Sequence, residues 1–331
     1  MRVITYREAL REAHAEELRR DADVLLLGED LAGGDERAVI TPDFLETFGP
    51  RRVRDAPPAE EALAGAAIGA ALNGLRPILA FRTAAQSLLA VSLLINSATR
   101  LRYLSGGQAS LPLVVRLPVG GGGQRGPQLS QMLESLFAHI PGLKVALPAT
   151  PHDAKGLLKA AVRDPDPVIL LEHELLYNIR GLVPDPASDY IVPLGRGEVR
   201  RVGEQVTIIS FSRMLHLSLQ AAEELARSGI EAEVIDLRSV RPLDLELLLT
   251  SVRKTRRAVI VEEGWKYYGT GQGVAALLYE HAFADLAAPI QHIASADVPL
   301  PYAKSLERLA LPSKARIVAA ARAVLPAAAV S

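Results

Sequence analysis

The sequence has no cysteine among its 331 residues, which excludes disulfides, thiolate metal centres and a cysteine nucleophile and fits a reducing compartment. An excess of charge of either sign is also missing. With 37 basic and 38 acidic residues the formal net charge is −1, so the chain as a whole offers no electrostatic attraction to a nucleic-acid backbone. No apolar run reaches the roughly 18 residues of a membrane span. The first ten residues, with Arg2, Arg7 and Glu8, lack the uninterrupted apolar stretch of a cleaved signal peptide, and the expected location is cytoplasmic. The seven histidines include no pair at helical metal-ligand spacing. No G-x-S-x-G elbow accompanies a histidine and an acid in the context a hydrolase requires.

What the chain does have is apolar residues, 49% of the total, enough for two cores and, at this length, about two domains. Thr5 and Glu8 read as a capping box, followed by an apolar helix face of Leu10, Ala13 and Leu18. Val24 to Leu27 is a short apolar run of the kind found in strands buried on both faces, with Gly28-Glu29-Asp30 at its carboxyl end. Polar groups at such an end often face a ligand. Alternation continues through a small-residue helix (62–75), a strand (77–81), a helix (88–101), strands (113–117 and 144–147) and a helix (153–162), the signature of a parallel sheet covered on both faces. A Pro/Asp/Gly-rich passage near 181–195 suggests a linker. A second β-α-β-α-β run then occupies 206–262. The expected division is 1–185, a linker at 186–204, and 205–331.

Two glycine clusters need weighing. For Gly120 to Gly123 with Gly126, turn chemistry favours a flexible connection over an anion site, because the G-K-[ST] ending of a P-loop is absent. Gly269-Thr270-Gly271-Gln272-Gly273 does not lead straight off a strand and reads as a helix start. Adjacent Glu60 and Glu61 sit at a strand-to-helix junction, where the macrodipole alone favours acidic residues.

Several segments together resemble the β subunit of pyruvate and branched-chain 2-oxo acid dehydrogenase first components, which are thiamine-diphosphate enzymes. They include Leu25-Leu26-Leu27-Gly28-Glu29-Asp30, Leu101 to Gln108, His139 to Val145, Asp153 to Lys159, Val234 to Leu237 with Arg241 to Asp244, and Asp297 to Lys304. They span nearly the whole chain in family order. The resemblance implies an α/β fold in two parts, a pyrimidine-binding thiamine-diphosphate-type domain and a transketolase carboxyl-terminal-like domain. It implies thiamine diphosphate with magnesium, both gripped mainly by a separate α subunit in an α2β2 heterotetramer, because the G-D-G motif is absent here. It also implies acyl transfer to the lipoyl group of an acyltransferase core, with no nucleic acid and no membrane as partner.

By the same resemblance, Asp55, Pro57 and Glu60 satisfy a D-x-P-x-x-E pattern, making Glu60 the essential carboxyl, with Pro58 beside it at the cofactor. Such a carboxyl hydrogen-bonds a pyrimidine ring nitrogen and favours the imino tautomer that deprotonates the thiazolium. A potassium site would map to Leu113, Ala161, Val162, Asp164 and Asp166, mostly through backbone carbonyls. Three positions depart from the pattern. Leu129 stands where the catalytic histidine of an H-S-Q motif is expected, Gln86 replaces the aromatic that stacks on the pyrimidine, and Arg82 replaces an apolar residue. Leucine transfers no proton, glutamine has no stacking face, and Arg82 would pair with an anionic substrate or with Glu60. Two further readings stand beside the dehydrogenase: a non-catalytic or repurposed paralogue, and a split transketolase-like subunit.

Overall fold

The computed structural model describes residues 1–31 and 40–326, in two compact units: Met1–Val119 with Leu136–Leu194, and Gly120–Ser135 with Gly195–Ser331. Strand β1 (Arg2–Thr5) leads into helix α1 (Tyr6–Arg20). The capping box forms: Glu8 N–H reaches Thr5 Oγ1 at 3.1 Å, and Thr5 N–H reaches the Glu8 carboxylate at 2.6 Å, so two orphan donors are satisfied reciprocally. Next come β2 (Val24–Gly28), α2 (Phe44–Phe48), β3 (Val53–Asp55), α3 (Glu60–Leu72) and β4 (Arg76–Ala80).

Where periodicity predicts one helix over 88–101, the chain instead makes α4 (Ala84–Ser87), a π-helical stretch (Leu93–Ala98) and α5 (Leu101–Leu104). Thr99 Oγ1 donates to the Ile95 carbonyl at 2.6 Å, a side-chain bond that competes with the regular ladder and helps to interrupt it. Strand β5 (Val114–Val119) follows, then the glycine segment, α6 (Gly126–Leu129) and α7 (Glu134–Ala138). The first unit ends with β6 (Lys144–Ala146), α8 (Pro151–Arg163), β7 (Val168–His173) and β8 (Arg180–Val183).

Within this unit the parallel strands run in the order β6-β7-β5-β4-β2-β3, while β1 and β8 pair antiparallel beside them. Strand β2 lies close against β4. A Cβ on Gly28 would sit 2.4 Å from the Ala80 carbonyl oxygen, so only glycine ends this strand without moving its neighbour. Helix α1 packs on α8 through more than apolar contacts. Lys155 and Lys159 are buried, with Nζ of Lys155 at 2.6 Å and Nζ of Lys159 at 2.7 Å from the Glu16 carboxylate.

The second unit contains β9 (Glu198–Arg201), β10 (Val206–Ser210), α9 (Arg213–Ala226), β11 (Ala232–Asp236), β12 (Ser239–Arg241), α10 (Leu245–Thr255), β13 (Ala258–Trp265), α11 (Thr270–Ala282), β14 (Gln291–Ser295), α12 (Lys304–Ala310) and α13 (Lys314–Ala323). Its sheet has the order β14-β13-β10-β11-β9. The segment expected as a linker over 186–204 therefore contains a strand. Strand β9 joins the sheet edge antiparallel to β11, and Glu198, Arg200 and Arg201 give that edge the charges that discourage further pairing. Gly269 caps α11, as its position after the tyrosine pair suggests. Among the described residues no helix is long and apolar enough to cross a membrane.

Candidate active site

Parallel strands place their carboxyl ends on one edge, and loops leaving that edge carry the polar residues of α/β sites. In the first unit Gly28 at the end of β2 lies in register with Asp55 at the end of β3 and with Ala80 at the end of β4. Ala56 N–H donates to the Gly28 carbonyl at 2.9 Å, and Leu31 N–H donates to Asp55 Oδ1 at 3.0 Å, locking the first two loops together. Pro58 is exposed in the turn after β3. Glu60 is half-buried in the first turn of α3, and Glu61 beside it is exposed. Among the described residues the Glu60 carboxyl has no hydrogen-bond or ion-pair partner.

Arg82 does not pair with Glu60. Its Nη1 lies 3.3 Å from Glu29 Oε1 and 3.1 Å from Asp30 Oδ2. Gln86 Nε2 donates to the other Glu29 oxygen at 3.0 Å, while its own carbonyl oxygen accepts the amides of Arg82 at 3.0 Å and Thr83 at 3.1 Å. The arginine and glutamine that depart from the family pattern thus form one network around Glu29. A cavity of about 40 Å3 touches Glu29, Asp30, Phe81, Arg82, Arg116 and Pro118.

Beneath this edge Arg116 of β5 and Glu172 of β7 make a buried bidentate pair, with both bonds at 2.6 Å and Tyr177 Oη donating to Glu172 at 3.0 Å. Burial opposes the charge on Arg116, but the Glu172 carboxylate outweighs it and holds the guanidinium above its ordinary range. The Tyr6 and Tyr177 phenols are pushed well up, first by burial and then by Glu172. Sequence reading missed this pair. Its signal was a lone charge in each of two otherwise apolar strands, Val-Val-Arg-Leu-Pro-Val and Val-Ile-Leu-Leu-Glu-His.

Leu129 ends α6 in the second unit and is 43% exposed, while Ser130 is buried and Gln131 half-buried. The glycine run before it is not a slack connection. Gly121 N–H donates to Glu263 at 2.6 Å, Gly122 N–H to Glu307 at 2.9 Å and Gln124 N–H to Glu307 at 3.2 Å. Its amides do approach anions, and the anions are buried side chains of the same unit.

The five potassium positions have other partners already. Lys144 Nζ lies 2.7 and 2.8 Å from the Asp164 carboxylate and 3.3 Å from Asp166, and Arg102 also pairs with Asp166. The carbonyls of Leu113 and Ala161 accept one amide each, and Val162 accepts from Arg76 at 3.0 Å. Each carbonyl keeps a second lone pair, whereas both carboxylates are already committed to Lys144 and Arg102. No group of three or more His, Cys, Asp or Glu side chains suited to a metal ion occurs among the described residues.

Residues 2–180 match the transketolase pyrimidine binding domain family, and residues 195–317 match the transketolase C-terminal domain family. A pyruvate dehydrogenase E1 component subunit beta of Rhizobium meliloti is 46% identical over 98% of this chain and 70% of its own length. The corresponding subunit of Rickettsia felis is 44% identical over 97% of this chain and 98% of its own. The chain belongs to the pyruvate dehydrogenase E1 β-subunit family. A mitochondrial member from Arabidopsis thaliana is 45% identical over 96% of this chain and 88% of its own length. Among solved structures, a split gene transketolase described as an inactive β4 tetramer superposes with a TM-score of 0.79 at 26% identity, covering 97% of this chain and 98% of that one. These relationships make the chain a subunit of a thiamine-diphosphate enzyme class with the two-domain transketolase-type α/β fold. In this E1 β-type chain the strand-end residues around Glu29 and Glu60 lie within the part matched to the pyrimidine-binding family.

Proposed function

We propose that the chain is the β subunit of a 2-oxo acid dehydrogenase first component. Paired with an α subunit in an α2β2 assembly, it decarboxylates pyruvate or a similar 2-oxo acid and passes the acyl group to a lipoyl carrier on an acyltransferase core. The observation that carries the reading is Glu60, an uncommitted carboxyl in the first turn of α3, within a chain related to E1 β subunits over nearly its full length.

Glu60 meets the hydrogen-bonding demand of an aminopyrimidine. Half-buried and free of an internal partner, it can hold a proton against a ring nitrogen and fix the tautomer that takes up the next proton. Bound thiamine diphosphate would supply the positively charged ring that accepts electrons as carbon dioxide leaves. Pro58 shapes the turn that presents Glu60. Gln86 contributes no stacking face and spends its amide on Glu29, and Arg82 brings a charge that Glu29 and Asp30 compensate. Leu129 moves no proton, so proton delivery at that position falls to the α subunit or to water. Diphosphate and magnesium also fall to α. A potassium ion at the carbonyls of Leu113, Ala161 and Val162 would brace the end of α8, with Asp164 and Asp166 held by Lys144 and Arg102. The reaction is assigned to the cytoplasm.

A second reading, a repurposed or non-catalytic paralogue, rests on Leu129, Gln86 and Arg82. The two readings separate in one experiment. Co-expression with an E1 α subunit should give a heterotetramer that binds thiamine diphosphate and magnesium by calorimetry, and Glu60→Gln should lower 2-oxo acid decarboxylation by roughly 10²–10⁴-fold. Without an α subunit the chain should be inactive. A heterotetramer that fails to bind the cofactor would reject the dehydrogenase and leave the paralogue.

A further inference from the structure

Among the buried carboxyl groups of the second unit, Glu134, Glu262, Glu263 and Glu307 belong to or meet the glycine segment and β13, and three of these four have donors. Glu262 on β13 accepts Gly271 N–H at 3.1 Å and lies 2.6 Å from His292 Nε2. Glu263 accepts Gly121 N–H and faces Arg213 at 3.3 Å, and Glu307 takes the amides of Gly122 and Gln124. Glu134 is only 1% exposed, and neither of its carboxyl oxygens has a hydrogen-bond partner on another described residue; its own backbone N–H favours the charged form, but less than burial opposes it. A Cβ placed on Gly264 would lie 2.7 Å from Glu134 Oε1 and 3.8 Å from Glu262 Oε2, so both carboxyls point at the same bare glycine.

A buried charge without a partner is strongly unfavourable. The groups facing Glu134 make it more so. Glu262 and Glu263 of β13 act on it with like charge, while Arg213 in the first turn of α9 and His292 on β14 are engaged with Glu263 and Glu262. A metal ion would relieve the repulsion, but no suitable ligand group exists among the described residues. A proton remains.

We propose that Glu134 is a proton-holding carboxyl whose neutral form seats the segment Gly120–Ser135 on the carboxylates of the second unit, so that opening of this segment is coupled to release of one proton. Burial, and after it the charge of Glu262, pushes the Glu134 carboxyl up to about 8, against an ordinary value of 4.5. The seated state binds the proton over the interval between those values, so seating weakens as pH rises through it and levels off above the higher one. The inference does not depend on the reaction proposed above.

The test is amide hydrogen exchange on the full-length chain, corrected for the intrinsic pH dependence of exchange. Protection of Gly121, Gly122 and Gln124 should fall roughly tenfold per pH unit between about pH 5 and 8 and then flatten, whereas Glu134→Gln should show no such slope. Protection that is independent of pH in the wild type, or the same slope in the variant, would overturn the proposal. So would a slope that disappears when the same pH series is repeated with divalent cations present. If Glu134→Gln does not fold, infrared spectra of the wild type labelled with ¹³C-glutamate decide: a protonated carboxyl band at neutral pH supports the proposal, and its absence overturns it.

Discussion

Arg82 and Glu29 face each other across the carboxyl ends of adjacent parallel strands, guanidinium Nη1 to carboxylate at 3.3 Å, and Gln86 completes the contact from the other oxygen of the same carboxylate at 3.0 Å. The two unfamiliar residues are therefore partners of one acidic group. Replacing Gln86 alone with an aromatic should restore a stacking face worth about 0.5–1.5 kcal/mol. Gln86→Phe is expected to tighten thiamine diphosphate binding by the heterotetramer roughly three- to tenfold, measured by calorimetry. Arg82→Met should move the unfolding midpoint little, because exposed ion pairs contribute about 0–1 kcal/mol.

Leu129 is open to solvent, so its replacement should leave folding intact, with a stability change within about 0.5 kcal/mol. Leu129→His should raise 2-oxo acid decarboxylation by the heterotetramer, on the order of 10²-fold where the missing histidine is the sole deficit. Leu129→Asn, which offers hydrogen bonds but no titration near neutral pH, should not. An identical rate for all three proteins points to a different acceptor or a deeper loss.

The Arg116–Glu172 pair predicts an asymmetry in denaturant unfolding. Removing one partner, as in Arg116→Met, leaves a carboxylate buried and should cost about 3–5 kcal/mol. Changing both, Arg116→Met with Glu172→Leu, should recover much of that loss. A double variant no more stable than the single would show that Tyr177, which also donates to Glu172, is the larger dependence.

His14 gives a pH prediction. It is fully buried, its Nδ1 lies 2.7 Å from the Leu10 carbonyl oxygen, and Nε2 is unpartnered among the described residues. Burial, with the Arg116 charge adding to it, holds the imidazole well below its ordinary 6.5. The unfolded chain therefore takes up a proton that the folded one refuses, and stability should decline as pH falls below 6.5, by up to about 1.4 kcal/mol per pH unit. In urea titrations at a series of pH values, His14→Leu should remove this part of the acid sensitivity. An unchanged acid limb would assign it to other groups.

Much of the architecture can be read from the chain because its strands are buried on both faces, and runs such as Val24 to Leu27 or Val168 to Leu171 have no other reason to be uniformly apolar. The capping box at Thr5 and Glu8 is equally local and forms as expected. The single helix expected over 88–101 fails because apolar spacing does not report a threonine hydroxyl bonding four residues back. Buried charges are the other blind spot. Arg116, Glu172, Glu263 and Glu307 look like surface residues until the strand or loop that satisfies each is known, and those partners lie tens of residues away or further. At the strand edge, Glu29 and Asp30 were recognisable as polar groups at a strand end, but their commitment to Arg82 and Gln86 depends on the β2–β4 register. The glycine run misled in the opposite direction, since turn chemistry alone does not reveal which acceptor its amides meet.

That run has a consequence for ligand selection. Its Gly121, Gly122 and Gln124 amides are donated to carboxylates fixed to the same polypeptide, and a tethered acceptor competes at an effective concentration on the order of millimolar or above. A free phosphate or nucleotide would have to displace Glu263 and Glu307 and then tolerate their charge nearby. The loop is in this sense self-inhibited toward phosphorylated metabolites.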